Sequence, residues 1–223
     1  MPGEMSSTTP TLETDTSIFL AYAARVDLPP ASTLYTGTHY EYTTQRSLAR
    51  YGLELRRIGG RSDGGIDLLG HWTLPSDVPP STASTPAPAP PLKILVQCKA
   101  IKRPAGPQII RELEGAFAGA PVGWRVAGGV LGAMVVPTGA TKGVREAMGR
   151  SSLPLAFFMV GKEDGRVEQC LWNQAAVALG LEGLGVTRRY REQGGGMDGS
   201  SKEAGLHTDL ALTWRGTVVP PVG

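Results

Sequence analysis

Unbroken apolar runs alternate with segments of helical period along this chain, and the alternation outlines a layered domain. Ile94-Leu95-Val96 and the stretches 129–136 and 155–160 carry almost no charged residue, which suits strands covered on both faces. Ile66, Leu68 and Leu69 surround Asp67 in the same way, and 53–58 reads as a shorter strand. Segment 107–118 has the other period. Ile109, Ile110, Leu113 and Phe117 mark one face behind a proline at a permitted first-turn position. Two more helices are expected, over 38–51, with Gly52 as a C-terminal stop, and over 138–149. The predicted order α-β-β-β-α-β-α-β gives an α/β fold, a mixed β-sheet flanked by helices on both faces.

Composition interrupts this pattern in three places. Residues 75–91 are dominated by Pro, Ser, Thr and Ala, so they form a disordered insertion between the strand of Asp67 and that of Lys99. Gly194-Gly195-Gly196 and Gly199-Ser200-Ser201 open a flexible C-terminal tail, 193–223, that contains Trp214. Residues 1–16 form a flexible N-terminal tail. The domain is then 17–192. Within it the short apolar stretch Ile18 to Ala24 reads as a helix packed on the domain or as an internal targeting element. The N-terminal tail carries three acids and no Lys or Arg, the reverse of a conventional transit peptide.

The chain has 223 residues and a net charge of +2, and none of its apolar stretches is long enough for a membrane span. Two cysteines, Cys98 and Cys170, make neither a disulfide framework nor a zinc site. The small net charge conceals an uneven distribution. Residues 93–150 hold nine Lys and Arg against Glu112, Glu114 and Glu146, a balance that favours a phosphate backbone as partner. Lys102, Arg103 and Arg111 follow the strand of Lys99, and Lys142 and Arg145 share a helix face at i, i+3, so all five are candidate DNA contacts. Solvated helix faces collect the same residues.

Candidate chemistry gathers at Gly64-Gly65-Ile66-Asp67 and Val96-Gln97-Cys98-Lys99. With a strand period of two, Gln97 and Lys99 emerge on one face while Cys98 points to the other. An aspartate, an amide and a lysine at the ends of apolar strands are costly unless opposite charges or a metal answer them. A divalent cation would do so, which points to a metal-dependent nuclease site. The bland readings are a turn-proximal Asp67, a strand-end Lys99 reaching solvent, and Glu41 as an ordinary first-turn acid.

These motifs, with Thr38-His39-Tyr40-Glu41 in the first helix, resemble the Mrr-type branch of the PD-(D/E)xK, restriction-endonuclease-like nucleases, in which Gln often replaces an acid of the last motif. Over residues 33–190 the chain is similar to the fungal mitochondrial required-for-respiratory-growth proteins. Tyr35 to Tyr42, Arg57-Ile58-Gly59-Gly60, Gln97-Cys98-Lys99, Arg111 to Gly115 and Leu171-Trp172-Asn173 carry that similarity. The resemblance implies a Mg2+ or Mn2+ site made by Asp67, Gln97, the Cys98 main-chain carbonyl and Glu41. Lys99 would stabilise the attacking water and the scissile phosphate, completing the catalytic set Glu41, Asp67, Gln97 and Lys99. It also implies DNA as partner, a homodimer, and a mitochondrial role in genome maintenance and respiratory growth. Two alternatives remain at this point: an inactive nucleic-acid-binding relative, and a module that binds a mitochondrial protein through the Trp172-Asn173 region and the C-terminal tail.

Overall fold

The computed structural model describes residues 12–60, 64–75, 90–125, 129–191 and 207–222. Helix α1 (Leu12–Arg25) and helix α2 (Thr33–Ala49) lead into β1 (Leu53–Arg57), β2 (Leu68–Trp72) and β3 (Leu92–Cys98). Then come α3 (Gln108–Gly119), β4 (Val130–Val136), α4 (Lys142–Arg150), β5 (Leu155–Val160) and β6 (Val167–Trp172). A short turn of helix, α5 (Gln174–Ala176), passes into a wider turn over 177–181 before β7 (Leu184–Arg191), β8 (His207–Trp214) and β9 (Thr217–Val218).

Strands β1 to β6 form one sheet in sequence order. The β1-β2, β2-β3 and β5-β6 pairs are antiparallel, whereas β3-β4 and β4-β5 are parallel and need α3 and α4 as crossovers. The apolar runs have their explanation here, because alternate residues of the central strands enter different cores. Ile94, Val96, Leu131 and Val135 join Tyr40 and Leu48 of α2 on one face. Leu95, Met134 and Val136 meet Ile110, Leu113 and Phe117 of α3 and Val144 of α4 on the other. Helices therefore flank both faces, and each fully buried side chain of this size contributes about 1.5–3 kcal/mol.

Close strand contact imposes one residue choice. At Gly70 a Cβ would run into the Glu54 carbonyl of β1, so any side chain there would push β1 off the sheet. Since β1 carries Arg57 and leads to Gly59, this contact also sets the position of the candidate site.

Several boundaries differ from those expected. Helix α2 begins at Thr33, because the Ser32 hydroxyl accepts the Tyr35 N–H at 3.2 Å as an N-cap. Helix α1 already runs from Leu12, inside the segment expected to be a tail. The C-terminal region is not wholly a flexible tail. Strand β8 pairs with β7 and β9 with β8, making a second, three-stranded antiparallel sheet. Leu210 and Leu212 bury themselves against the first core, and Trp214 packs beside them. The expected disordered insertion lies mostly outside the described residues, as does the glycine-rich stretch 192–206.

Candidate active site

Asp67 sits one residue before β2, and its backbone ties three segments together. Its N–H donates to Val96 O, while its carbonyl accepts from both Ile58 and Gly59, each at 2.9 Å. Its side chain reaches β3, where Oδ2 accepts the Cys98 N–H at 2.6 Å. A charged acceptor on a backbone donor makes this one of the stronger hydrogen bonds of the region.

Glu41 approaches the same place from α2. A Cβ built on Gly59 would lie 3.1 Å from Glu41 Oε2 and 3.4 Å from Asp67 Oδ1, so the two carboxylates flank one glycine. Glu41 is the ninth residue of α2 rather than a first-turn acid, which removes the helix dipole as the reason for its presence. Its partner is Arg57 at the end of β1, in a half-buried ion pair. The Arg57 guanidinium also lies 5.6 Å from the Tyr42 ring centroid.

Gln97 and Lys99 leave β3 on the side opposite Cys98, as the strand period requires. Gln97 Nε2 would be 2.9 Å from a Cβ at Gly65, whose φ of 82° also favours glycine. Gln97 Oε1 is buried and has no hydrogen-bond partner among the described residues. An orphaned buried acceptor is costly, and a cation or an ordered water would answer it. Lys99 follows β3 directly, its N–H donating to Val135 O at 2.9 Å. Its ammonium pairs with Glu112 of α3. Glu112, Ala116 and Gly119 share one face of α3 at i, i+4, i+7, and that face runs past Lys99, Gly65 and Gly64.

The Cys98 thiol lies on the α2 side. Burial, then the nearby Asp67 and Glu41 charges, push it well above the ordinary thiol range, with the Thr44 hydroxyl offsetting part of that rise. It stays protonated and is no thiolate nucleophile. Cys170 is raised by burial alone.

Among the described residues no three His, Cys, Asp or Glu side chains are arranged to hold a metal ion. Magnesium asks for less, since it commonly binds through one or two carboxylates and keeps waters or substrate oxygens for its other positions. The two carboxylates at Gly59 are hard donors of the kind such an ion takes, and the unanswered Gln97 Oε1 beside Gly65 is a donor of the same chemistry.

Lys102, Arg103, Arg111, Lys142 and Arg145 are exposed. Lys142 lies 3.7 Å from Glu146, and Arg145 donates to the Ala140 carbonyl. Sequence reasoning gave no role to Arg57 or Glu112. Both sat inside matched motifs, yet neither has a local pattern that announces a partner so distant in the chain. Asn173, by contrast, is engaged internally. Its Oδ1 accepts from Leu155 N at 3.0 Å and Ala176 N at 3.1 Å, and its amide donates to Met148 O at 3.0 Å and Leu153 O at 2.8 Å.

The fold and the site define a mixed α/β protein with an aspartate, an amide and a lysine at the ends of adjacent strands and a second carboxylate reaching them from α2. The family described as Required for respiratory growth protein 7 matches residues 32–190, and the chain belongs to it. A protein of that name from Eremothecium gossypii is 32% identical, covering 70% of this chain and 80% of its own. An uncharacterised mitochondrial protein of Schizosaccharomyces pombe is 28% identical over 72% of this chain. The matched region spans 59% of that relative and 48% of the Saccharomyces cerevisiae protein, which is 32% identical over 39% of this chain. These relatives are named as mitochondrial, and the kinship places this chain in mitochondria. No solved structure matches the chain significantly.

Proposed function

We propose that the protein is a divalent-metal-dependent, nuclease-like hydrolase of DNA phosphodiesters, built on a Mrr-type restriction-endonuclease-like plan and serving mitochondrial genome maintenance and respiratory growth. The observation that carries this reading is the buried, unpartnered Gln97 Oε1, next in sequence to the peptide that fastens Asp67. In this reading Asp67, Gln97 Oε1 and the Cys98 carbonyl hold Mg2+ or Mn2+, and Glu41 binds the ion or orients a water. A bound ion supplies an activated water and neutralises charge on the phosphate. Lys99 exchanges Glu112 for the scissile phosphate and stabilises the charge that develops there. Lys102, Arg103, Arg111, Lys142 and Arg145 neutralise the DNA backbone around the site. A homodimer would bring a second site to the other strand.

A second reading is an inactive nucleic-acid-binding relative. The ion pairs Glu41–Arg57 and Lys99–Glu112 favour it, because each engages a group that catalysis needs. Manganese binding, followed by the loss of free-ion paramagnetic resonance signal, separates the two. The nuclease reading expects the wild-type protein to bind Mn2+ and Asp67→Ala and Gln97→Ala to bind it at least several-fold more weakly. Equal affinity in all three would contradict it.

A further inference from the structure

A groove of about 680 Å³ opens between α1 and α2, lined in part by Ile18, Tyr22, Arg25, Leu34, Tyr42 and Arg57. Its apolar walls are left open. Ile18 is 61% exposed, Tyr22 47% and Leu34 63%. Two arginines lie over tyrosine rings along it, Arg25 at 5.8 Å from the Tyr22 centroid and Arg57 at 5.6 Å from that of Tyr42. No acidic residue lines the groove among the described residues. Arg57 has a second engagement, since it pairs with Glu41 and so joins the inner end of the groove to the candidate active site.

We propose that this groove binds single-stranded nucleic acid, taking an unstacked nucleotide whose phosphate is passed by Arg57 toward Glu41 and Asp67. Sequence-tolerant strand binding combines aromatic faces for the bases with cationic groups for the backbone; the exposed Tyr22 offers the face and Arg25 and Arg57 the cations, while Tyr42 is packed against Phe19 at 5.6 Å. The volume suits one nucleotide, as binding sites of roughly 300–1,000 Å³ take ligands of that size. A membrane surface fits the groove less well. Helix α1 carries only Arg25 as a base and includes Glu13 and Asp15, whereas surface-lying helices are rich in Lys and Arg. The inference rests on the nuclease reading only for its statement of where the phosphate goes. For a nuclease, it makes single strands or frayed ends the preferred substrate.

The test is fluorescence anisotropy in EDTA, with a labelled oligothymidylate and a blunt duplex, on the full-length wild type, Tyr22→Ala, Tyr22→Phe and Arg25→Gln. Tyr22→Ala and Arg25→Gln are each expected to weaken single-strand binding about tenfold. Duplex affinity should not change, and Tyr22→Phe should bind like wild type. Unchanged single-strand affinity in Tyr22→Ala and Arg25→Gln, an equal loss for duplex, or no wild-type binding overturns the proposal. So does capture by phosphatidylcholine–cardiolipin vesicles that needs Tyr22 while oligonucleotide binding does not. A metal-dependent cleavage assay on the same preparations separates the two claims. Tyr22-dependent strand binding without any cleavage removes the nuclease reading and leaves the groove, whereas cleavage with Tyr22-independent binding removes the groove and leaves the nuclease.

Discussion

Asp67 Oδ2 and the Cys98 N–H meet at 2.6 Å, fastening the residue that precedes β2 to the last peptide of β3. The carboxylate is thus positioned by the sheet rather than by a loop, and its stability role can be separated from its chemistry. Asp67→Asn keeps an oxygen acceptor for Cys98 and should unfold in urea within about 1 kcal/mol of wild type. Asp67→Ala leaves that donor without its partner and should cost about 1–3 kcal/mol. Equal stability of Asp67→Ala and wild type would show that the hydrogen bond holds nothing.

Gly65 and Gly70 make a paired prediction. In Gly65→Ala the new Cβ meets Gln97 Nε2 on a backbone at positive φ, so about 1–3 kcal/mol is lost and Gln97 is displaced. In Gly70→Ala it meets the Glu54 carbonyl, backbone that cannot rotate away, so β1 must separate. Urea denaturation should rank Gly70→Ala as the more damaging, with amide exchange accelerated along β1.

Lys99 and Glu112 are partly exposed, so their pair contributes little to stability, typically under about 1 kcal/mol. Glu112→Gln should leave the melting temperature close to wild type. On the proposed nuclease reading, DNA should nevertheless bind more tightly at low salt, because a negative charge beside Lys99 is removed and its ammonium is released. Weaker binding in Glu112→Gln would mean that Glu112 positions Lys99 rather than restrains it.

Asn173 predicts a structural rather than a partner role. Its side chain is buried and serves backbone groups of α4, the 151–153 turn, β5 and α5. Asn173→Ala orphans several of these at once, and roughly 3 kcal/mol or more should be lost. Thermal unfolding decides the matter, since a residue reserved for a partner would leave the isolated protein unaffected.

The central strands and α3 were legible in the sequence because each follows one simple period. Helix α2 was blurred because much of the face it buries is polar: Thr43, Thr44, Gln45 and Ser47 are all buried. Hydrogen bonds answer two of these, Thr43 to His39 O at 3.0 Å and Gln45 to Leu55 O at 2.8 Å. Strands β7 and β8 were hidden differently. Arg188, Arg189 and Arg191 break the apolar pattern of β7, and the glycine-rich stretch before β8 suggested that folding had ended. Asp67, Gln97 and Lys99 stood out as polar residues at the ends of apolar runs. Arg57 and Glu112 did not, because an ion pair made in space leaves no spacing in sequence.

The most direct measurement is cleavage of linear, circular and branched DNA with Mg2+ or Mn2+ by wild type, beside Asp67→Ala and Lys99→Ala proteins shown to be folded. Metal-dependent cleavage by wild type, reduced at least a hundredfold in both variants on the scale of a lost charge-stabilising group, is the expected result. DNA binding without cleavage under every metal condition, or cleavage that survives in Asp67→Ala, would contradict the account.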